Sequence, residues 1–194
     1  RVGTVLAAAL VIITRNTEVS ATAIDRTRLP IAQPAPAKVT QVLPADAVMP
    51  EPWEVKAPEG APNVVIILLD DIGFGAPSPF GGPVNMPTLQ HLADNGLSYN
   101  RFHTIALCAP TRGALKSGRN HHRVNMGSIP EIATGFAGNT TVIPDTAAPI
   151  AEVLRQNGYN TGAFGKWHET PGRETTAAGP QTRRPTRQGL DKCY

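Results

Sequence analysis

The chain has 194 residues and a formal net charge of +3, with 18 Lys and Arg against 15 Asp and Glu. A hydrophobic share of 41% permits a packed core, while two cysteines exclude a disulfide framework. The basic residues are scattered. Their one local cluster, Arg183, Arg184 and Arg187, lacks interleaved aromatic residues and reads as a solvated loop rather than a nucleic-acid surface.

In chain order, Val2 to Ile13 is a mostly apolar run, too short to span a bilayer as a helix. With Arg1 before it and the small-residue pattern Ala21-Thr22-Ala23 after it, residues 1–23 read as a signal peptide lacking its first residues. Arg15 and Glu18 leave open an unrelated upstream segment. The first reading places the protein in a periplasm or outside the cell, the second in the cytoplasm. Residues 24–60 hold seven prolines and little apolar periodicity, as in a linker or an extended arm over a domain surface. From residue 61 the pattern becomes α/β. Val64 to Leu69 reads as a strand buried on both faces, and Pro87 to Asn95 as a helix stopped by Gly96. Leu97 to Phe102 reads as a second strand, Pro110 to Ser117 as a helix closed by Gly118, Thr146 to Asn157 as a helix ended by Gly158, and Tyr159 to Gly165 as a third strand. This alternation predicts an open, largely parallel sheet with helices on both faces, whose ligands collect at the carboxyl ends of the strands.

Three motifs carry chemistry. In Leu107-Cys108-Ala109-Pro110-Thr111-Arg112, Pro110 suits a first helical turn, which sets Cys108 at a helix N-terminus where backbone N–H groups favour an anion. Arg112 follows one turn later on the same face. Asp70 and Asp71 end the first strand; two adjacent carboxylates there call for a hard divalent cation, or else one of them caps the following turn. Lys166 and His168, two apart on an extended segment, point to one side, with Trp167 to the other. His121 and His122 have no second group at ligand spacing and read as loop residues near the mouth of the site.

The cysteine motif, closed by Gly118-Arg119, resembles that of the sulfatase family. Asn63 to Asp71 resembles the family's first strand with its metal-binding aspartates, and Gly165-Lys166-Trp167-His168 its Lys-x-His segment. Gly118 to His122 and Asn125-Met126-Gly127 are similar to the bacterial arylsulfatases. The resemblance implies an alkaline-phosphatase-like fold over residues 61–194, and a chain that is the N-terminal portion of a longer enzyme. It implies that Cys108 is converted to formylglycine by a maturation enzyme and that a small-molecule sulfate ester is the substrate. A formylglycine hydroxyl then attacks sulfur, with no water attack at that atom. It further implies Asp70, Asp71 and the modified Cys108 as ligands of calcium, with magnesium as the alternative. Arg112 and Lys166 would place positive charge on the formylglycine and the sulfate oxygens, and His168 would hydrogen-bond the hydroxyl or the sulfate. No nucleic acid and no stable membrane span are expected. Two other readings are a phosphonate or phosphate ester hydrolase of the same superfamily and a non-catalytic remnant. Lys116 departs from the resemblance, standing where the family has an apolar residue. The second metal-binding pair, a further histidine and a further lysine would lie beyond Tyr194, and the isolated chain is expected to be inactive and marginally stable.

Overall fold

The computed structural model describes residues 5–11, for which only the backbone course is given, 24–35, 49 and 52–194. The Ala21-Thr22-Ala23 pattern and much of the proline-rich stretch lie outside the described residues. The elements, in order, are β1 (Val5–Val11), β2 (Val64–Gly73), α1 (Pro87–Asn95), α2 (Cys108–Ser117), α3 (Ile150–Gln156), β3 (Gly162–Ala163) and β4 (Lys192–Cys193), with several 3-10 turns between them. β1 pairs antiparallel with β2, and β3 pairs parallel with β4. Among the described residues no helix is long and apolar enough to cross a membrane.

The sequence punctuation accounts for the helices. α1 starts on Pro87 and stops before Gly96. α2 begins two residues earlier than expected, at Cys108, and ends on Gly118 in the left-handed conformation. α3 begins only at Ile150, because Pro149 is extended and takes the N-cap position. The expected strand from Leu97 to Phe102 is absent: the segment runs as bends and irregular chain, with Leu97 and Tyr99 largely exposed. Strand-prone residues without a neighbouring strand have nothing to pair with. β2 forms where expected, but not buried on both faces. Its hydrogen-bonded partner among the described residues is β1, and Val65 (59%) and Ile67 (55%) keep more than half of their surface exposed.

The core sits beside α2 rather than around a sheet. Ala109 on α2 packs with Val124, Met126, Ile143 and Ala147, and Ile129 lies against this cluster. Gly113 on α2 faces Met126 so closely that a Cβ there would sit 2.9 Å from Met126 Cγ. The C-terminal loops are built on a buried carboxylate. Glu174 is fully buried and accepts hydrogen bonds from the Arg183 backbone N–H (2.8 Å) and the Thr182 hydroxyl (3.0 Å). The Arg183 guanidinium lies 3.5 Å away and also donates to the Ile143 carbonyl. Arg184 donates to the carbonyls of Glu174 and Thr176. Two of the three clustered arginines therefore tie loops together instead of being solvated; Arg187 stays exposed.

The segment before the core is anchored at the far end of α3. Arg26 donates to the Asn157 carbonyl (2.9 Å) and the Lys56 carbonyl (2.7 Å), and the Ala57 N–H donates to the Gly158 carbonyl. Gly158 has φ +87°, and a Cβ there would lie 2.3 Å from the Lys56 carbonyl carbon.

Burial acts to raise the Glu174 pKa, but the hydrogen bonds from Arg183 and Thr182 and the Arg183 charge outweigh it and hold it below the usual value. A depressed folded-state value stabilises above the unfolded pKa, and that stability is lost as pH falls through the folded value. Replacing Glu174 by Gln should therefore cost stability at neutral pH. In denaturant titrations, the gap between the two proteins should close as pH falls below about 4.

Candidate functional site

Three chain segments converge on the N-terminal turn of α2. Leu107, at the N-cap position, is extended and offers no capping side chain, and Pro110 has no N–H to satisfy. Cys108 is half-buried at the opening of this helix. It lines a recess with Leu68, Leu69, Asp70, Asp71, Ala106, Leu107 and Thr111. Both aspartates reach this recess although neighbours on a regular strand face opposite ways. The backbone explains it: Asp71 has φ +53°, and the pairing with β1 breaks register between Ala7↔Leu68 and Val5↔Gly73. A bulge of this kind re-aims side chains.

Arg112 joins all three segments. One guanidinium nitrogen donates to Asp70 Oδ1 (3.0 Å) on β2, and another donates to the Lys166 carbonyl (2.6 Å). Lys166 Nζ donates to Asp70 Oδ2 (2.6 Å), so both oxygens of Asp70 are held. The Lys166 hydrogen bond, working against partial burial, together with Arg112 holds the Asp70 carboxyl below its ordinary range. The same hydrogen bond raises the Lys166 ammonium above its own. Asp71 is exposed and makes no hydrogen bond or ion pair to the described residues.

The short β3–β4 pair delivers Lys166. The Tyr194 N–H donates to the Ala163 carbonyl and the Gly165 N–H to the Tyr194 carbonyl, and Gly165 turns the chain with φ +97°. Thr161 and Asp191 lock the base of the pair, the Thr161 N–H donating to Asp191 Oδ2 at 2.8 Å. Beyond the turn, His168 adopts φ +57° and brings its Nδ1 to 3.1 Å from Cys108 Sγ. Its Nε2 lies 2.9 Å from Glu131 Oε1. Hydrogen bonds from the Glu131 backbone N–H first, and from His168 second, hold the Glu131 carboxyl low. An ionised carboxylate only accepts, so Nε2 donates to Glu131 and Nδ1 is the ring nitrogen that faces residue 108.

Asp70, Arg112, Lys166 and His168 thus surround Cys108, with Asp71 lining the same recess. Trp167 turns the other way, with the Lys116 ammonium 3.1 Å from its ring centroid. His121 does not reach into this cluster by any hydrogen bond. Its ring meets the Met126 carbonyl and packs, tilted by 38°, against that of His122 in a 3-10 turn capped by Asn120. Two residues here escape motif reading. Glu131 lies 37 residues from His168 with no local signal. Glu169 is fully buried and pairs with Lys116; the signal for it was a lysine on an otherwise small and apolar helix face.

The oxygen donors of Asp70 and Asp71, with residue 108 in the same recess, fit one side of a shell for a hard cation. Among the described residues no three His, Cys, Asp or Glu side chains gather as a complete metal site.

Residues 62–194 match the sequence pattern of the Sulfatase family. The chain belongs to the sulfatase family. It has the α/β, alkaline-phosphatase-like fold class of that family, with helices between its strands and a small parallel pair. It is 35% identical over 114 residues to an uncharacterized sulfatase of Schizosaccharomyces pombe, covering 55% of this chain and 21% of that protein. An arylsulfatase of Klebsiella aerogenes is 34% identical over 114 residues (58% and 25%), and arylsulfatase A of Homo sapiens is 38% identical over 109 residues (55% and 21%). The crystal structure of Ps i-CgsB aligns at 27% identity with a TM-score of 0.48, covering 63% of this chain and 25% of that one. The chain spans about a fifth to a quarter of the length of these relatives.

Lysine has no fork with which to serve Asp70 and the Lys166 carbonyl together. Arg112→Lys should therefore destabilise the protein by about 1.5–3 kcal/mol, the range for a hydrogen bond to a charged group, read from the midpoint of a denaturant melt.

Proposed function

We propose that this chain supplies the nucleophile and one wall of the substrate site of an arylsulfatase-type sulfuric ester hydrolase. The observation that carries this reading is the placement of His168 Nδ1 3.1 Å from Cys108 Sγ, at a helix N-terminus flanked by Arg112 and Lys166. The family match and the arylsulfatase relatives support it.

Each residue has a task set by its surroundings. A sulfate monoester is an anion, and charge accumulates on the leaving oxygen as the ester bond breaks. The positive end of the α2 dipole and the Lys166 ammonium favour the anion at residue 108. Arg112, held by Asp70 and the Lys166 carbonyl, fixes a second positive charge beside it. Nδ1 of His168 accepts a proton from the group at residue 108, and Glu131 stabilises the ring as it becomes charged. Cys108, as formylglycine, would supply a hydrated aldehyde whose hydroxyl is the nucleophile. A divalent cation, calcium in this reading, would be held by Asp70, Asp71 and the modified residue 108 and would neutralise charge on the reacting group. Maturation by a formylglycine-generating or equivalent enzyme follows from the same reading; a periplasmic or secreted location rests instead on reading residues 1–23 as a signal peptide.

In a host with the modifying activity, the residue-108 peptide of the full-length protein should carry an aldehyde that hydrazide probes trap and mass spectrometry locates. An intact thiol at full occupancy refutes the reading. Cys108→Ala should abolish hydrolysis of a nitrophenyl or nitrocatechol sulfate while leaving the melting temperature unchanged.

Asp71→Ala should lower the divalent metal content, measured by elemental analysis, as well as turnover. Unchanged stoichiometry would remove Asp71 from the metal shell.

A further inference from the structure

One buried ion pair has no part in the site described above. Glu169 is fully buried immediately after His168, and the Lys116 ammonium is its only polar partner among the described residues. Lys116 stands in the last turn of α2, its side chain 21% exposed. Its ammonium also covers the Trp167 ring, at 3.1 Å from the centroid. One side chain on the cysteine helix therefore grips the residues on both sides of His168.

That grip falls where the backbone needs it. His168 sits at φ +57°, a left-handed conformation that non-glycine residues hold only when the surroundings over-determine it. The segment is fastened at each residue. Lys166 is held by Asp70 and Arg112, Trp167 by Lys116, His168 by Glu131 and the contact with Cys108, and Glu169 by Lys116 again. Removing the grip frees the chain on both sides of a strained residue.

The chemistry of the pair argues against a purely filling role. Burial, and then the Arg112 charge, push the Lys116 ammonium well below its ordinary pKa. Glu169 is the carboxylate that lies against this ammonium. Glu169 Oε1 would lie 3.5 Å from a Cβ at Gly113, so the carboxylate reaches the helix where it carries no side chain. A buried pair defines a separation and an orientation, which apolar contacts alone do not.

We propose that Lys116 and Glu169 are positioning residues: through their ion pair and the Trp167 contact they set the backbone of residues 166–169, and so hold the His168 ring and the Lys166 ammonium against residue 108. The proposal rests on the reading of His168 and Lys166 as groups that face the ester.

The test is a double-mutant cycle in the matured full-length protein, with Lys116→Met, Glu169→Gln and the double variant. kcat and KM are measured on an aryl sulfate, together with melting temperature and the ring nitrogen signals of 15N-labelled histidine. Each single variant leaves an uncompensated or missing charge. It should lower kcat by about 10- to 100-fold, the scale of an ångström-size misplacement, with a smaller change in KM. The His168 ring signals should broaden or shift while those of His91 stay fixed. The double variant, which buries no lone charge, should fold and lose less than the product of the single losses. Singles that lower the melting temperature but keep kcat and the His168 signals would overturn the proposal, as would independent, multiplicative losses. The histidine signals need no turnover. A parent protein that hydrolyses no sulfate ester would thus refute the functional reading, and an unmoved His168 would refute the positioning role.

Discussion

Arg112 is the constraint on which the rest of the site depends. Its guanidinium has two tasks at once, the Asp70 carboxylate on β2 and the Lys166 carbonyl after β3. Among the described residues no other side chain of α2 bonds to β2, whereas α2 also reaches the segment after β3 through Cys108 and Lys116. The interaction is set in a place with little other support, since β2 is half-exposed and the apolar cluster lies on the other side of α2. Polar geometry, more than the extent of the core, brings the aspartates, the cysteine helix and the Lys-Trp-His segment into one site.

Charge is distributed around residue 108 in pairs. Asp70 is matched by Lys166 and Arg112, Glu131 by His168, and Glu169 by Lys116. Asp70 and Glu131 steady donors that face residue 108, while Glu169 and Lys116 pair behind the Lys166–His168 segment. Truncating one member of a buried pair costs more than the pair contributes, because the survivor keeps its desolvation penalty. Asp71 alone stands outside these pairs, with its carboxylate open to solvent.

Much of this was legible in the sequence where one residue sets the local backbone. Pro87 and Gly96 bound α1 as read, and Gly118 closes α2, whose start at Cys108 leaves Pro110 inside the first turn. Lys166 and His168 do face one side and Trp167 the other. The reading failed where structure depends on remote partners. Leu97 to Phe102 has strand-forming residues but no strand to join among the described residues, and Pro149 delays the start of α3 from within a stretch whose apolar spacing looked continuous. Arg183 and Arg184 looked solvated because Glu174, their partner, has no recognisable spacing from them. Glu131 was invisible for the same reason: nothing local to the Pro130-Glu131 turn announces a histidine 37 residues away.

The clasp between Arg26, Lys56 and the end of α3 bears on where this protein can be cut. The family pattern begins at residue 62, and by that criterion the preceding residues are dispensable. Hydrogen bonding says otherwise: Arg26 and Ala57 satisfy the Asn157 and Gly158 carbonyls, and Gly158 has no room for a side chain because Lys56 lies against it. An expression boundary drawn at the edge of sequence similarity would unfasten the turn that leads α3 into β3, and with it the approach to Lys166. The contacts that fasten this turn thus start upstream of the matched family pattern, and a fragment that keeps them has to include residue 26.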